Sequence, residues 1–219
     1  MSRLSGNKRV ILIHGFMRDA RDMQALQGHL AKLGYEGILV SLSLTFQPLT
    51  KSVAMLEGLF AAKFSHLASE EKIHLVGHST GGLVIRSWLA QTRYGRNIGR
   101  CVLVATPNQG SELADLAGRY CPLLPAIFKT LASLQSKQVR KLPAVSHLPV
   151  EIGAIAGSKN NLLLGHLLKG ENDGRVTVAS VRLAGLKDFL VLPLDHLVIH
   201  KEPQTARFID RFLQRGSFS

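Results

Sequence analysis

The sequence predicts an α/β fold built on a doubly wound, mostly parallel sheet of about six strands. Short runs rich in Val, Ile and Leu alternate with longer amphipathic segments, which is typical of strand–helix repeats. These runs are apolar at nearly every position, as expected for a sheet covered on both faces. The 219 residues suffice for one well-cored domain rather than two. We therefore expect residues 1–219 to form a single domain.

Six short apolar runs predict the strands, and four amphipathic segments predict the main helices. The strands are expected at residues 8–13, 37–42, 72–76, 100–105, 151–156 and 188–192. The helices are expected at residues 19–33, 52–67, 81–94 and 204–213. In the first helix, Met23, Leu26, Leu30 and Leu33 recur at spacings of three and four before Gly34 ends the pattern.

The chain between the fourth and fifth strands breaks this alternation. Residues 107–149 show no strand pattern and contain five prolines, so we expect loops and short helices. We place them as a small helical insertion, a cap or flap, over the carboxyl edge of the sheet, where open α/β sheets bind ligands. Its apolar residues include Leu113, which we expect to contact substrate. Its basic residues are Arg119, Lys129, Lys137, Arg140 and Lys141. They fit either contact with an anionic membrane surface or an ordinary solvated loop.

Charge and cysteine content limit the classes of function. The net charge is +12, from 27 basic and 15 acidic residues, which favours an anionic partner. The basic residues are scattered and match no nucleic-acid-binding motif, so we expect no nucleic acid partner. Two cysteines do not make a disulfide framework, and we expect Cys101 to be a buried thiol. The first apolar run is too short for a signal peptide, and we expect a cytoplasmic protein.

The strongest motif is Gly77-His78-Ser79-Thr80-Gly81-Gly82, which matches the pattern G-x-S-x-G. It follows a predicted strand and opens a predicted helix, the setting that a nucleophile elbow requires. The glycines suit a tight turn in which a side chain would clash. This turn would lift the Ser79 hydroxyl out of the sheet at the positive end of a helix. The alternative is a glycine-rich turn with an idle serine.

A second motif, His14-Gly15-Phe16, directly follows the first strand. Acyl transfer develops negative charge on a carbonyl oxygen, and preorganised backbone N–H groups stabilise that charge. The elbow would supply one donor from Thr80, and a loop after an early strand would supply another. Phe16 is the natural candidate for this second oxyanion-hole donor.

These motifs, together with Thr106-Pro107-Asn108-Gln109-Gly110-Ser111, resemble the lipase-like α/β hydrolases. The similarity is greatest to the short bacterial esterase/lipase branch, which is related to triacylglycerol lipases. It extends over residues 8 to about 213. The resemblance implies the α/β-hydrolase fold, a triad in the order Ser, Asp, His, and no cofactor.

The resemblance also suggests the two partners of Ser79. Asp173, in Asn-Asp-Gly-Arg-Val, corresponds to the loop in which the family keeps its acid, although Asn-Asp-Gly is also a common surface turn. Glu171 is the alternative acid. His196 follows the last strand, where the family keeps its base, and His200 is the alternative base.

The remaining histidines and the possible cofactors follow from the same comparison. His14 and His78 are expected to line the site, as substrate-binding residues, or to buttress it. His196 and His200 have the i, i+4 spacing of a zinc pair. The sequence offers no H-E-x-x-H motif, no obvious third ligand and no phosphate-binding glycine loop, so we expect no metal and no cofactor.

The function predicted from these residues is serine-dependent hydrolysis of a small or lipid-like carboxylic ester through an acyl-enzyme. An acyltransferase or a thioesterase would use the same triad. A non-catalytic ligand-binding protein that kept the fold is the alternative from another class. No sequence feature indicates an oligomeric state.

Overall fold

The structure is a computed structural model that describes residues 8–68, 70–148 and 150–219. Residues 1–7, on which part of the expectation about targeting segments depends, lie outside the described residues. The same holds for Pro149, the last residue of the predicted insertion.

A six-stranded sheet forms the centre of the structure, and all of its strands are parallel. The strands are β1 (Lys8–Ile13), β2 (Tyr35–Val40), β3 (Ile73–His78), β4 (Ile98–Val104), β5 (Ile152–Gly157) and β6 (Asp188–Leu192). Their spatial order is β2-β1-β3-β4-β5-β6. Strand β2 is thus added on one side of β1, whereas β3 to β6 are added on the other side. The carboxyl ends of the strands at such a reversal of strand order form the usual ligand crevice of open α/β sheets. The predicted fold class is confirmed.

Helices cover both faces of the sheet. They are α1 (Gln24–Ala31), α2 (Leu49–Phe64), α3 (Thr80–Leu89), α4 (Glu112–Tyr120), α5 (Leu123–Ile127), α6 (Lys129–Ser133), α7 (Ser136–Val139), α8 (Val178–Val181) and α9 (Pro203–Arg215). Helices α2 and α3 pack on one face, and α1 and α9 pack on the other. Because strand side chains alternate, Ile11 and Ile13 of β1 join the first core, whereas Val10 and Leu12 join the second. This two-sided burial explains the continuous apolar strands.

The observed bounds differ from the expected ones mainly at element ends. Strand β2 begins and ends two residues earlier than expected, since Leu42 N–H leaves the ladder and donates to His14 Nε2 at 3.0 Å. The helix expected to reach residue 94 ends at Leu89, where the N–H groups of Gln91 and Thr92 both turn back to the Trp88 carbonyl. The first helix begins as a 3₁₀ turn, Ala20–Met23, before α1.

The segment between β4 and β5 is helical, as expected. It contains α4 to α7 and a 3₁₀ turn at Val145–His147, and no strand occurs among its described residues. Arg86 of α3 is buried and binds both ends of the segment, since it donates to the Asn108 carbonyl at 2.8 Å and to the Pro143 carbonyl at 3.2 Å.

Cys101 is a buried free thiol. In the described part of the chain, no helix has the length and apolarity needed to cross a membrane.

Candidate active site

Ser79 sits at a sharp, strained turn between β3 and α3. Its backbone adopts φ +52° and ψ −121°, a conformation that a non-glycine residue keeps only when its surroundings impose it. Ser79 N–H donates to the Val104 carbonyl at 2.8 Å. The flanking glycines allow the turn: a Cβ on Gly77 would lie 2.5 Å from the Gly82 nitrogen, and one on Gly81 would lie 2.5 Å from the Ile13 carbonyl oxygen. The motif therefore has the geometry of a nucleophile elbow.

The structure brings Ser79, His196 and Asp173 into one hydrogen-bonded chain. His196 Nε2 lies 3.1 Å from Ser79 Oγ, and His196 Nδ1 lies 2.7 Å from Asp173 Oδ2. The carboxylate requires a proton on Nδ1, which leaves Nε2 free to accept the hydroxyl proton of Ser79. His196 and Ser79 reach this arrangement from 117 residues apart in sequence.

Asp173 is held by its own loop. Its side chain is fully buried, and Oδ1 accepts hydrogen bonds from Arg175 N–H at 2.9 Å and Val176 N–H at 2.8 Å. The Asp173 carbonyl also accepts a hydrogen bond from His196 N–H at 2.9 Å. Asn172 Oδ1 accepts from Gly174 N–H at 2.9 Å, so the Asn-Asp-Gly sequence does form a tight turn. The turn interpretation and the functional one are thus compatible, because the turn presents Oδ2 to His196.

Phe16 and Thr80 are the two residues predicted to supply backbone donors to an oxyanion. Thr80 is the first residue of α3, so its N–H has no acceptor within the helix. Phe16 follows β1 and lines the cavity above Ser79, and within the described residues its N–H donates to no protein group. A Cβ on Gly15 would lie 3.1 Å from Ser79 Cβ, which shows how closely this loop approaches the elbow.

The alternative acid and base have other surroundings. Glu171 is exposed, and its backbone carbonyl accepts a hydrogen bond from Val178 N–H. His200 is 1% exposed and faces Asp22, with Nε2 3.1 Å from Asp22 Oδ2 but poorly aligned for a hydrogen bond. Burial lowers the pKa of His200, and Asp22 only partly offsets this effect.

Asp22, His78, His200 and Lys201 form a cluster beside the triad, which we call the Asp22 cluster, and its two histidines are buried. Lys201 Nζ lies 3.0 Å from Asp22 Oδ1. Burial alone would raise the pKa of Asp22, but the contact with His200 and the ion pair with Lys201 hold it well below its usual range. His78 Nε2 donates to the His196 carbonyl at 3.1 Å, and burial with two neighbouring histidines lowers the pKa of His78 strongly. The cluster therefore contains neutral imidazoles around one ion pair, and it holds the backbone of His196.

The ring geometry of the Asp22 cluster does not suit a metal ion. The donor atoms of Asp22, His78 and His200 lie within 4.8 Å of one another. The rings of His78 and His200, however, are stacked with centroids 3.8 Å apart and planes only 21° apart. A metal lies near the plane of each ligating imidazole, and two stacked rings cannot share one.

His14 lies beneath the site rather than in the cavity. It is fully buried, its Nδ1–H donates to the Gly15 carbonyl at 2.9 Å, and its Nε2 accepts from Leu42 N–H. Both ring nitrogens are therefore occupied by backbone groups, and burial lowers the pKa of the ring. This placement corresponds to the buttress interpretation and offers no free ring atom to a substrate.

A cavity of about 450 Å³ opens over Ser79 and His196. The helical insertion supplies much of its apolar lining, from Pro107, Leu113, Ala117, Leu124, Leu131 and Leu134. Phe16 makes an edge-to-face contact with Phe128 of the insertion at 6.2 Å between ring centroids. The insertion therefore lies over the carboxyl edge of the sheet, and Leu113 and His78 both line the cavity.

Comparison with known proteins gives the family. The family model described as "Alpha/beta hydrolase family" matches residues 10–216. The mature lipase BlEst2 of Bacillus licheniformis is 22% identical, with a TM-score of 0.79 over 95% of this chain and 91% of that one. The metagenomic carboxyl esterase MGS0156 is 19% identical, with a TM-score of 0.77 over 97% and 77%. EstA from Clostridium botulinum is 15% identical, with a TM-score of 0.66 over 91% and 85%. No curated protein matches the sequence significantly. Because the family model covers nearly the whole chain, this protein belongs to the α/β-hydrolase family.

Proposed function

We propose that the protein is a serine hydrolase that cleaves carboxylic esters through an acyl-enzyme. The observation that carries the proposal is the continuous chain from Ser79 Oγ through His196 to Asp173, at 3.1 Å and 2.7 Å. A serine hydroxyl is a weak nucleophile unless an adjacent base accepts its proton, and a carboxylate behind the base fixes its tautomer.

Each half of the reaction, acylation and deacylation, needs two proton transfers through His196. Ser79 Oγ attacks the ester carbonyl while His196 Nε2 takes the hydroxyl proton, and the Asp173 carboxylate stabilises the resulting imidazolium. The N–H groups of Phe16 and Thr80 receive the oxyanion. The tetrahedral intermediate then expels the alcohol, which takes the proton from Nε2. In deacylation water attacks the acyl-enzyme while His196 Nε2 takes its proton, and Nε2 then returns that proton to Ser79 Oγ as the acyl–oxygen bond breaks and the acid leaves.

The lining of the cavity supports an apolar acyl group. Leucines of the insertion form one wall above the triad, and burying a methylene group there is favourable by about 0.8 kcal/mol. The lipase and carboxyl esterase among the similar structures have the same overall fold. Transfer of the acyl group to an added alcohol, or cleavage of a thioester, would use the same residues. Both are distinguished by analysing the products.

A fluorophosphonate probe and p-nitrophenyl esters of graded chain length test the proposal. The purified protein should be labelled and should turn over the esters, whereas Ser79→Ala should do neither. Ser111→Ala is the matched control, because Ser111 also lines the cavity but caps α4 rather than bonding His196. It should be labelled like the unmodified protein. Failure of the unmodified protein both to react and to turn over any ester would refute the proposal and favour a binding role.

A further inference from the structure

The walls of the cavity differ in charge. The wall from the insertion carries no charged group among its lining residues. The rest of the lining comes mainly from loops that follow the strands, and it includes Arg18, Arg175 and Lys201. Asp22 is the one acidic side chain among the described residues that line the cavity. The apolar lining from the insertion and the cations on the loops therefore suit two chemically different parts of one ligand.

Two of these three cations have no protein counter-ion. Lys201 is paired with Asp22 at 3.0 Å, so these two charges offset each other. Arg18 and Arg175 are exposed, and no carboxylate among the described residues forms an ion pair with either. The acidic residue nearest to Arg18 in sequence, Asp19, is bound to Arg21 at 2.6 Å. The cavity thus presents about two uncompensated positive charges.

The cations lie on the same loops as the reacting groups. Arg18 comes two residues after Phe16, and Arg175 comes two residues after Asp173. An ester carbonyl bound at Ser79 places one substituent on each side of the reacting carbon. If the acyl chain lies along the leucines of the insertion, the alcohol part lies towards the loops that carry the arginines.

We propose that the preferred substrate is an ester of an apolar acid whose alcohol part bears a negative charge, bound by Arg18 and Arg175. This inference rests on the proposed function. Guanidinium groups bind phosphate and carboxylate through paired hydrogen bonds, and either anion could supply the charge. A neutral glyceride would leave these two arginines without a partner.

The experiment compares hexanoyl esters that differ only in the alcohol: glycerol 3-phosphate, glycolate, glycerol and choline. Hexanoyl chains keep the substrates monomeric, so that binding to a lipid surface does not contribute. We expect kcat/KM for an anionic ester to exceed that for the glycerol ester by about twofold to thirtyfold, the effect of two exposed ion pairs. The choline ester should be the poorest substrate. Comparison of the phosphate with the carboxylate identifies which anion is preferred.

The variant R18Q/R175Q should lose most of the anionic preference, chiefly through a higher KM for the anionic ester. The variant K51Q/K63Q is the matched control, because it removes two exposed cations from α2, outside the cavity, and should keep the preference. High salt should weaken the preference of the unmodified protein, since it screens exposed charges. Turnover of all four esters at similar rates, or an equal loss in both double variants, would overturn the anionic substrate but leave the hydrolase proposal standing. Absence of turnover together with absence of fluorophosphonate labelling would overturn both.

Discussion

Replacing Asp173 by asparagine should abolish most of the activity while leaving the fold intact. Oδ1 of Asp173 accepts two backbone N–H groups, and Oδ2 faces His196 Nδ1. An asparagine must keep its oxygen towards the two N–H donors, because turning its amide there would leave two buried donors unpaired at about 1–3 kcal/mol each. Its NH₂ group therefore faces His196 Nδ1.

This orientation reverses the tautomer of His196. An NH₂ group donates to Nδ1, so the ring proton must move to Nε2 and face Ser79 Oγ. Nε2 can then no longer accept the serine proton. The expected loss in kcat is on the order of 10⁴-fold, about 5.5 kcal/mol in activation free energy. The KM should change little, because Asp173 is fully buried beneath the cavity.

The assay is steady-state hydrolysis of a p-nitrophenyl ester, with urea unfolding of the same samples. Asp173→Asn should unfold at nearly the same urea concentration as the unmodified protein, since both backbone hydrogen bonds are kept. Glu171→Gln is the control, because that side chain is exposed and should keep full activity. Turnover by Asp173→Asn within tenfold of the unmodified protein would refute the reasoning, as would a larger loss in Glu171→Gln.

Other outcomes follow from the elbow, the histidines and the insertion. Gly77→Ala should lower the free energy of unfolding by about 1–3 kcal/mol or more, because its Cβ would meet backbone atoms at 2.5 Å. Gly58→Ala, on an exposed helix position with no atom within 4 Å, should be neutral or stabilising in the same urea titration. His78→Ala removes one hydrogen bond to the His196 carbonyl and should lower kcat about tenfold; a change confined to KM would contradict this. Burial lowers the pKa of His74 to about 4, so the unfolded chain binds more protons below the ordinary histidine pKa of about 6.5. The free energy of unfolding should therefore fall as pH decreases from about 6.5 to about 4. His74→Asn should reduce the slope of this free energy against pH by up to about 1.4 kcal/mol per pH unit. An unchanged slope would contradict the assignment to His74. The exposed basic residues of the insertion predict cosedimentation with anionic but not zwitterionic phospholipid vesicles, reversed by high salt; equal binding to both would favour the solvated-loop interpretation.

Elements whose ends are set by local signals were predictable from sequence. Strand β1 and strand β6 have the expected bounds, because each is an apolar run bounded by polar residues or a proline. The elbow was also predictable, since its glycines stand at positions where a side chain would clash with neighbouring backbone atoms. Strand β2 ends two residues before its expected end, where Leu42 N–H donates to the side chain of His14. His14 follows strand β1, so this contact comes from another part of the fold. A contact of that kind leaves no pattern in the residues around β2.

The supports of the site were harder to find than its reacting groups. Asp22 lies in a polar stretch that resembles a solvated helix start, and its contacts with His200 and Lys201 span about 180 residues of sequence. Arg86 offered a weak signal, as a charged residue within the largely apolar helix α3 (Thr80–Leu89). Burial lowers the pKa of Arg86 to about 10, and its described partners are neutral oxygens. Such supports are recognisable only when the partner from the distant segment is known.

Strand order explains why motifs far apart in sequence still predict one site. Strands β1 and β3 are neighbours in the sheet, so the loop that carries Phe16 and the elbow that carries Ser79 leave the sheet side by side. The absence of a side chain at Gly81 allows its backbone to approach the Ile13 and His14 carbonyls, where a Cβ would lie within 2.6 Å of both oxygens. The relative position of the two candidate oxyanion donors is thus fixed by backbone packing rather than by flexible side chains. A rigid relation between nucleophile and donors is what stabilisation of a developing oxyanion requires, and here four glycines (Gly15, Gly77, Gly81 and Gly82) and one reversal of strand order contribute to it.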